Sequence, residues 1–154
     1  MASSDPQCWR RPTWKIQKMA ASEFSRKKLI EFFKTLDSLL TAETQVTLIG
    51  GSAIILGHGI DRGTTDVDPW GKVLTALQDK WSEAVKISGI DIQLDTSAGV
   101  AQGPDGFEDR LKKLTGQKFK HLKILYPEAH DLALMKVIRN VDIDANDIDA
   151  LHKK

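Results

Sequence analysis

The sequence predicts an α/β fold on three observations. Apolar residues recur at three- and four-residue spacings in several stretches, the stripe of helices with one buried face. Short apolar runs lie between them, one alternating with the two-residue period of a strand. At residues 45 to 56 a strand-like run, a pair of glycines and a short helical run follow in order. With 154 residues, 41% hydrophobic and 28% charged, the chain has enough apolar side chains for a real core. The expected organisation is an arm over residues 1–20 and one domain over 21–154.

The arm carries Pro6, Pro12, Trp9, Trp14 and several basic residues without a period, so it reads as irregular, with tryptophans that dock. From Ser22 to Leu40, Phe24, Leu29, Phe32, Phe33, Leu36, Leu39 and Leu40 fall on one helical face. Gln45 to Ile49 reads as a strand ending at Gly50 and Gly51, and Ala53 to Leu56 as a short helix stopped near Gly57 or Gly59. Residues 65 to 68 form the next strand, which Pro69 ends or confines to an edge because it lacks an N–H. Lys72 to Val85 resumes a helical period through Val73, Leu77, Trp81 and Ala84.

Ile87 to Leu94 reads as a strand with Ile90, Ile92 and Leu94 on one face and Asp91, Gln93 and Asp95 on the other. Thr96 to Gly106 has loop composition, and Phe107 to Leu114 a turn of helix. His121 to Leu125 is the last strand. Pro127 then opens a helix through Leu132, Leu134, Met135 and Ile138, and an acidic helix runs from about Asp144 to His152. No repeat or low-complexity tract interrupts this order.

The formal net charge of +1, from 22 Lys plus Arg against 21 Asp plus Glu, argues against a global field for nucleic acid or anionic membrane. Arg110, Lys112, Lys113, Lys118, Lys120 and Lys123 could line a basic groove, but a solvated basic face is the favoured reading. Cys8, the one cysteine, cannot make an internal disulfide, and no apolar run approaches the roughly 20 residues of a membrane span. Without a secretory signal either, a reducing cytoplasm is the expected setting.

The chemistry gathers at Leu48-Ile49-Gly50-Gly51-Ser52-Ala53 and Arg62-Gly63-Thr64-Thr65-Asp66-Val67-Asp68. On a strand, Asp66 and Asp68 point to the same face, and hard divalent cations take such oxygens. The glycine turn at a helix start offers backbone N–H groups to phosphates. Asp91 is the expected third carboxylate, with Asp95 on the same face as runner-up. A surface turn is the commoner fate of a lone Asp-x-Asp. The glycine turn upstream shifts the balance towards a metal.

These two stretches resemble the signature of the nucleotidyltransferase (polymerase beta-like) superfamily, and more narrowly small bacterial proteins related to abortive-infection toxins of toxin–antitoxin systems. The later pattern of that group appears as Pro127, Asp131-Leu132, Lys136, Arg139 and Asp144-Ala145-Asn146-Asp147-Ile148, so the likeness spans residues 46 to 151. It implies a nucleotidyltransferase fold: a short, mixed, twisted sheet flanked by helices. It implies that Asp66, Asp68 and Lys136 are catalytic, that Asp66 and Asp68 hold Mg²⁺ or Mn²⁺, and that Gly50, Gly51, Ser52, Arg62 and Thr64 line an NTP; no motif fixes the third metal carboxylate, for which Asp91 stands on the alternation above. Lys136 would meet the triphosphate or the reacting oxygen; Arg62 anchors the turn before the metal strand or reaches phosphate. Arg139 and Asp147 would form a structural ion pair.

The implied activity is transfer of an NMP onto an RNA end or a protein hydroxyl, as a toxin with an antitoxin partner. The alternatives are a catalytically silent nucleotide- or partner-binding module and an antibiotic-type small-molecule nucleotidyltransferase. Related chains continue through more helix past Lys154, so a short member or a fragment is expected. Asp142-x-Asp144-x-Asn146 imitates a calcium loop but has Asp147 where glycine belongs and Lys153 where glutamate belongs. The glycines from 50 to 63 fit neither a P-loop nor a dinucleotide fingerprint. His58 reads as a local hydrogen-bonding group, and Trp70 as a packing residue that could also stack on a base.

Overall fold

The computed structural model describes residues 23–73, 75–95, 102–139 and 144–154. The expected arm with Cys8, Trp9 and Trp14, residues 96–101 of the expected loop, and Asp142 lie outside the described residues. The fold is α/β, as predicted. The elements run α1 (Arg26–Leu39), β1 (Thr44–Ile49), α2 (Gly50–His58), β2 (Asp66–Pro69), α3 (Thr75–Ser88), β3 (Gln93–Leu94), a 3₁₀ turn (Phe107–Arg110), β4 (Lys112–Lys113), β5 (Leu122–Tyr126), α4 (Ala129–Arg139) and α5 (Asp144–His152). The strands form one open sheet in the order β3-β2-β1-β5-β4. It is mixed: β1–β5 and β2–β3 are parallel, β1–β2 and β4–β5 antiparallel.

Helix α1 begins four residues after the predicted Ser22. Ser25 caps it, its side chain accepting from the Lys28 N–H at 3.5 Å. Phe24 is held instead in a bridge with Thr64, with N–O distances of 2.7 and 3.2 Å. Its stripe of Leu29, Phe32, Phe33 and Leu36 is fully buried. Phe32 lies 4.7 Å from the Trp81 ring of α3, and Phe33 meets the same ring edge-on at 6.0 Å. The Trp81 Nε1–H donates to the Ile92 carbonyl at 2.9 Å, so this aromatic cluster also fixes the approach to β3.

Strand β3 is shorter than the alternation from Ile87 predicts. Helix α3 runs on through Ser88, leaving Ile87 exposed, and stops where Gly89 takes φ +69° and donates to the Val85 carbonyl. Ile90 and Ile92 are buried as expected, yet Gln93 and Leu94 alone pair with β2. The expected helical turn over 107–114 is a 3₁₀ turn followed by the unpredicted edge strand β4. Pro69 is the last residue of β2, opposite Leu48, where its missing N–H costs no ladder bond further on. Among the described residues no helix is long and apolar enough to cross a membrane.

Asp37, near the end of α1, fastens the entry to β5. Its buried carboxylate accepts from the backbone N–H groups of Lys120, His121 and Leu122, each at 2.7 Å. Burial pushes its carboxyl up, but the three N–H donors and the nearby His121 together pull it below the ordinary carboxylate range. A carboxylate depressed on folding contributes stability that is present above its unfolded value, about pH 3.9, and lost as pH falls through the lower folded value. Asp37→Ala is therefore expected to cost about 2–4 kcal/mol at neutral pH. In urea titrations, the gap to wild type should close below about pH 4; an equal gap at every pH would contradict this role.

Candidate active site

The site forms where β1 ends. Gly50 follows Ile49 directly into α2 with φ +64°, so the glycine pair is the first turn of the helix, and the helix starts three residues before the predicted Ala53. No side chain caps that end; the N-cap position is Ile49, and the first N–H groups of a helix have no partner within it. A Cβ on Gly50 would overlap the Asp68 carboxylate. One on Gly51 would come within 2.9 Å of the Thr64 hydroxyl and 3.5 Å of an Arg62 guanidinium nitrogen. Two glycines are thus needed because the Asp-x-Asp strand and the loop before it pack against the helix start.

Antiparallel pairing sets this approach: Ile49 lies opposite Asp68. Val67, between the aspartates, is fully buried, while Asp66 and Asp68 are both half-buried on the other face, the alternation expected of a strand. Thr64 steadies the strand's start. It is buried, pairs with Phe24 through its backbone, and donates its hydroxyl to the Asp66 carbonyl at 3.0 Å.

The third carboxylate beside this pair belongs to Asp95. One oxygen from each of Asp66, Asp68 and Asp95 lies within 4.8 Å of the others. Register is the reason: Val67 pairs with Leu94 in the parallel ladder, and the Asp95 N–H donates to the Val67 carbonyl at 2.9 Å, which sets Asp95 beside Asp68. Asp91, the expected third ligand, precedes the paired residues, is exposed, and accepts from the Gln93 side chain at 2.8 Å. The structure does not bring it to the cluster. Three half-buried carboxylates at this spacing suit a hard dication. An octahedron at about 2.1 Å keeps its oxygens about 3.0–4.2 Å apart, and three carboxylates leave the remaining positions to other oxygens.

A basic side chain also reaches the glycine turn. Arg62 donates to the Gly63 carbonyl at 3.1 Å and its guanidinium meets the Asp147 carboxylate of α5. Lys136 of α4 reaches the same Asp147 oxygen at 2.9 Å, and both side chains of that pair are 8% exposed. The expected partner of Asp147, Arg139, has its side chain outside the described residues; among the described residues Asp147 pairs with Lys136 and Arg62. Two cations thus converge on one carboxylate, and one of them, Arg62, also lies against Gly51 at the uncapped helix start.

Ser52 is fully buried and its hydroxyl donates to the Ile49 carbonyl at 3.2 Å, so the helix offers its backbone at this position while the hydroxyl faces inward. His58 bonds the Pro127 carbonyl at 3.0 Å and packs edge-on against Tyr126, local work as expected. Trp70 donates to Glu108 at 2.7 Å and meets Phe107 edge-on at 4.8 Å. Of the basic residues over 110–123, Arg110 is spent on a bidentate pair with buried Asp131 and Lys112 pairs with Glu128.

A family model described as "Nucleotidyltransferase of unknown function" (DUF6036) matches residues 27–152, a span that takes in the glycine turn, all three carboxylates of the cluster and both ends of the Lys136–Asp147 pair. No curated protein and no solved structure matches the chain.

Proposed function

Because the chain belongs to this nucleotidyltransferase family, we propose that it transfers an NMP from an NTP onto a hydroxyl of an RNA end or a protein side chain. The observation that carries the reading is the packing of Gly50 on the Asp68 carboxylate, which joins an N–H-rich helix start to a three-carboxylate cluster. A triphosphate that arrives with a dication needs those two surfaces side by side. Asp66, Asp68 and Asp95 would hold Mg²⁺ or Mn²⁺, which when bound neutralises charge on the phosphates and the leaving group.

The chain's own groups supply orientation. The N–H groups of Gly50, Gly51 and Ser52 face the phosphates, and Arg62 with Lys136 supplies positive charge to the β- and γ-phosphates as pyrophosphate departs. The acceptor oxygen bonds the α-phosphorus, the bond from that phosphorus to the bridging oxygen breaks, and the hydroxyl proton passes to a carboxylate or water. Thr64 acts by holding the start of β2 and not through its hydroxyl, which serves the Asp66 carbonyl. In the narrower reading the protein is a toxin held in check by an antitoxin.

One observation favours a second reading, a nucleotide-binding module without turnover: Arg62 and Lys136 are both engaged by Asp147. Incubation with each labelled NTP, Mg²⁺ and a cell extract separates the two. Transferred label on RNA or protein is the expected result, binding by calorimetry without label selects the silent module, and neither binding nor label rejects both.

A further inference from the structure

We infer that Asp147 is a positioning residue that builds the cationic side of the nucleotide site, an inference that rests on the nucleotidyl-transfer reading above. A single oxygen, Asp147 Oδ2, receives Arg62 from the loop after α2 and Lys136 from α4, while Asp147 itself comes from α5. Three separate elements therefore meet at one atom. Lys136 and Asp147 are each 8% exposed and Arg62 27%, so water screens this meeting poorly. Two such cations repel each other, and burying them together is tolerable only with an anion between them.

The direction of the hold matters. While one guanidinium nitrogen of Arg62 meets Asp147, the other lies against Gly51, 3.5 Å from where a Cβ would stand. Asp147 thus holds Arg62 towards the first turn of α2, where phosphates are expected, with Lys136 on the same carboxylate oxygen. Among the described residues, helix α5 contributes no group to the carboxylate cluster.

Asp147→Asn separates positioning from simple charge balance, because the two predict opposite signs. If Asp147 only cancelled positive charge, its removal would tighten triphosphate binding. If it positions the cations, binding weakens. Calorimetry with a non-hydrolysable NTP plus Mg²⁺, and separately with the NMP, should show NTP affinity lowered about tenfold or more. NMP affinity should be unchanged, since the β- and γ-phosphates alone meet Arg62 and Lys136, and the number of sites per chain should stay at the wild-type value. A merely structural role would lower the site number or weaken both nucleotides alike. Unchanged or tighter NTP binding overturns the inference. Should Asp147→Asn fail to fold, Asp147→Glu, which keeps the charge, is read by the same criterion; failure of both to fold makes the carboxylate a fold element and overturns the inference too. Wild type that binds no NTP rejects the nucleotidyl-transfer reading itself, and Asp147's assigned role with it.

Discussion

Asp66→Ala combined with Asp68→Ala is expected to lower transfer of labelled NMP by about 10³-fold or more, with little loss of stability. The size follows from the role proposed for two of three carboxylates: metal-ion charge stabilisation in such reactions is worth several kcal/mol, and each 1.36 kcal/mol is a factor of ten in rate. The small effect on folding follows from burial. Asp66 and Asp68 are half-buried on the face of β2 opposite the core, whereas Val67 between them is fully buried and unaltered. Removing two of three acidic groups whose oxygens lie within 4.8 Å also relieves like-charge repulsion between them. Mg²⁺ should raise the melting temperature of wild type and leave that of the double variant unmoved. Equal labelling by both proteins would reject the mechanism.

Gly50→Ala is expected to be far more damaging than Gly59→Ala, although both glycines have nearly the same backbone conformation, φ +64° and +62°. An alanine in the left-handed region costs about 1–2 kcal/mol. At Gly59, which ends α2 with no other atom within 4 Å of the added carbon, that is the whole effect. At Gly50 the added carbon also overlaps the Asp68 carboxylate, so either the helix start or the metal-facing side chain must shift, adding about 1–3 kcal/mol of overpacking. Urea unfolding should show this difference. Metal and triphosphate binding should fail in Gly50→Ala and persist in Gly59→Ala. Equal stability and equal binding of the two variants would mean that Gly50 and Asp68 do not share the contact described.

The parts legible in the sequence are those set by local pattern. Leu29, Phe32, Phe33 and Leu36 announce α1 by spacing alone, and the acidic helix α5 spans the predicted residues. The glycine pair and the Asp-x-Asp strand are likewise local, and their meeting at Gly50 required the antiparallel pairing of β1 with β2 that the sequence does not state. What was illegible depends on register or on competing periods. Asp91 and Asp95 lie on the same alternating face, and the pairing of Val67 with Leu94 is what selects Asp95. Ile87 suits a helix and a strand equally, and the helix wins because Trp81 and Ala84 extend the buried face of α3. Strand β4 is two exposed lysines, a pattern without a buried face to signal it. The sharing of Asp147 between Lys136 and Arg62 joins residues 85 positions apart, beyond any spacing rule.

The proposed function requires that Asp66, Asp68 and Asp95 hold a dication against a triphosphate lying on the first turn of α2. A crystal grown with Mn²⁺ and a non-hydrolysable NTP tests it directly through the anomalous signal of manganese. The expected map has a manganese peak within about 2.2 Å of an oxygen from each of the three aspartates and phosphate density at the N–H groups of Gly50 and Gly51. Manganese elsewhere, or a nucleotide bound away from the glycine turn, would contradict it.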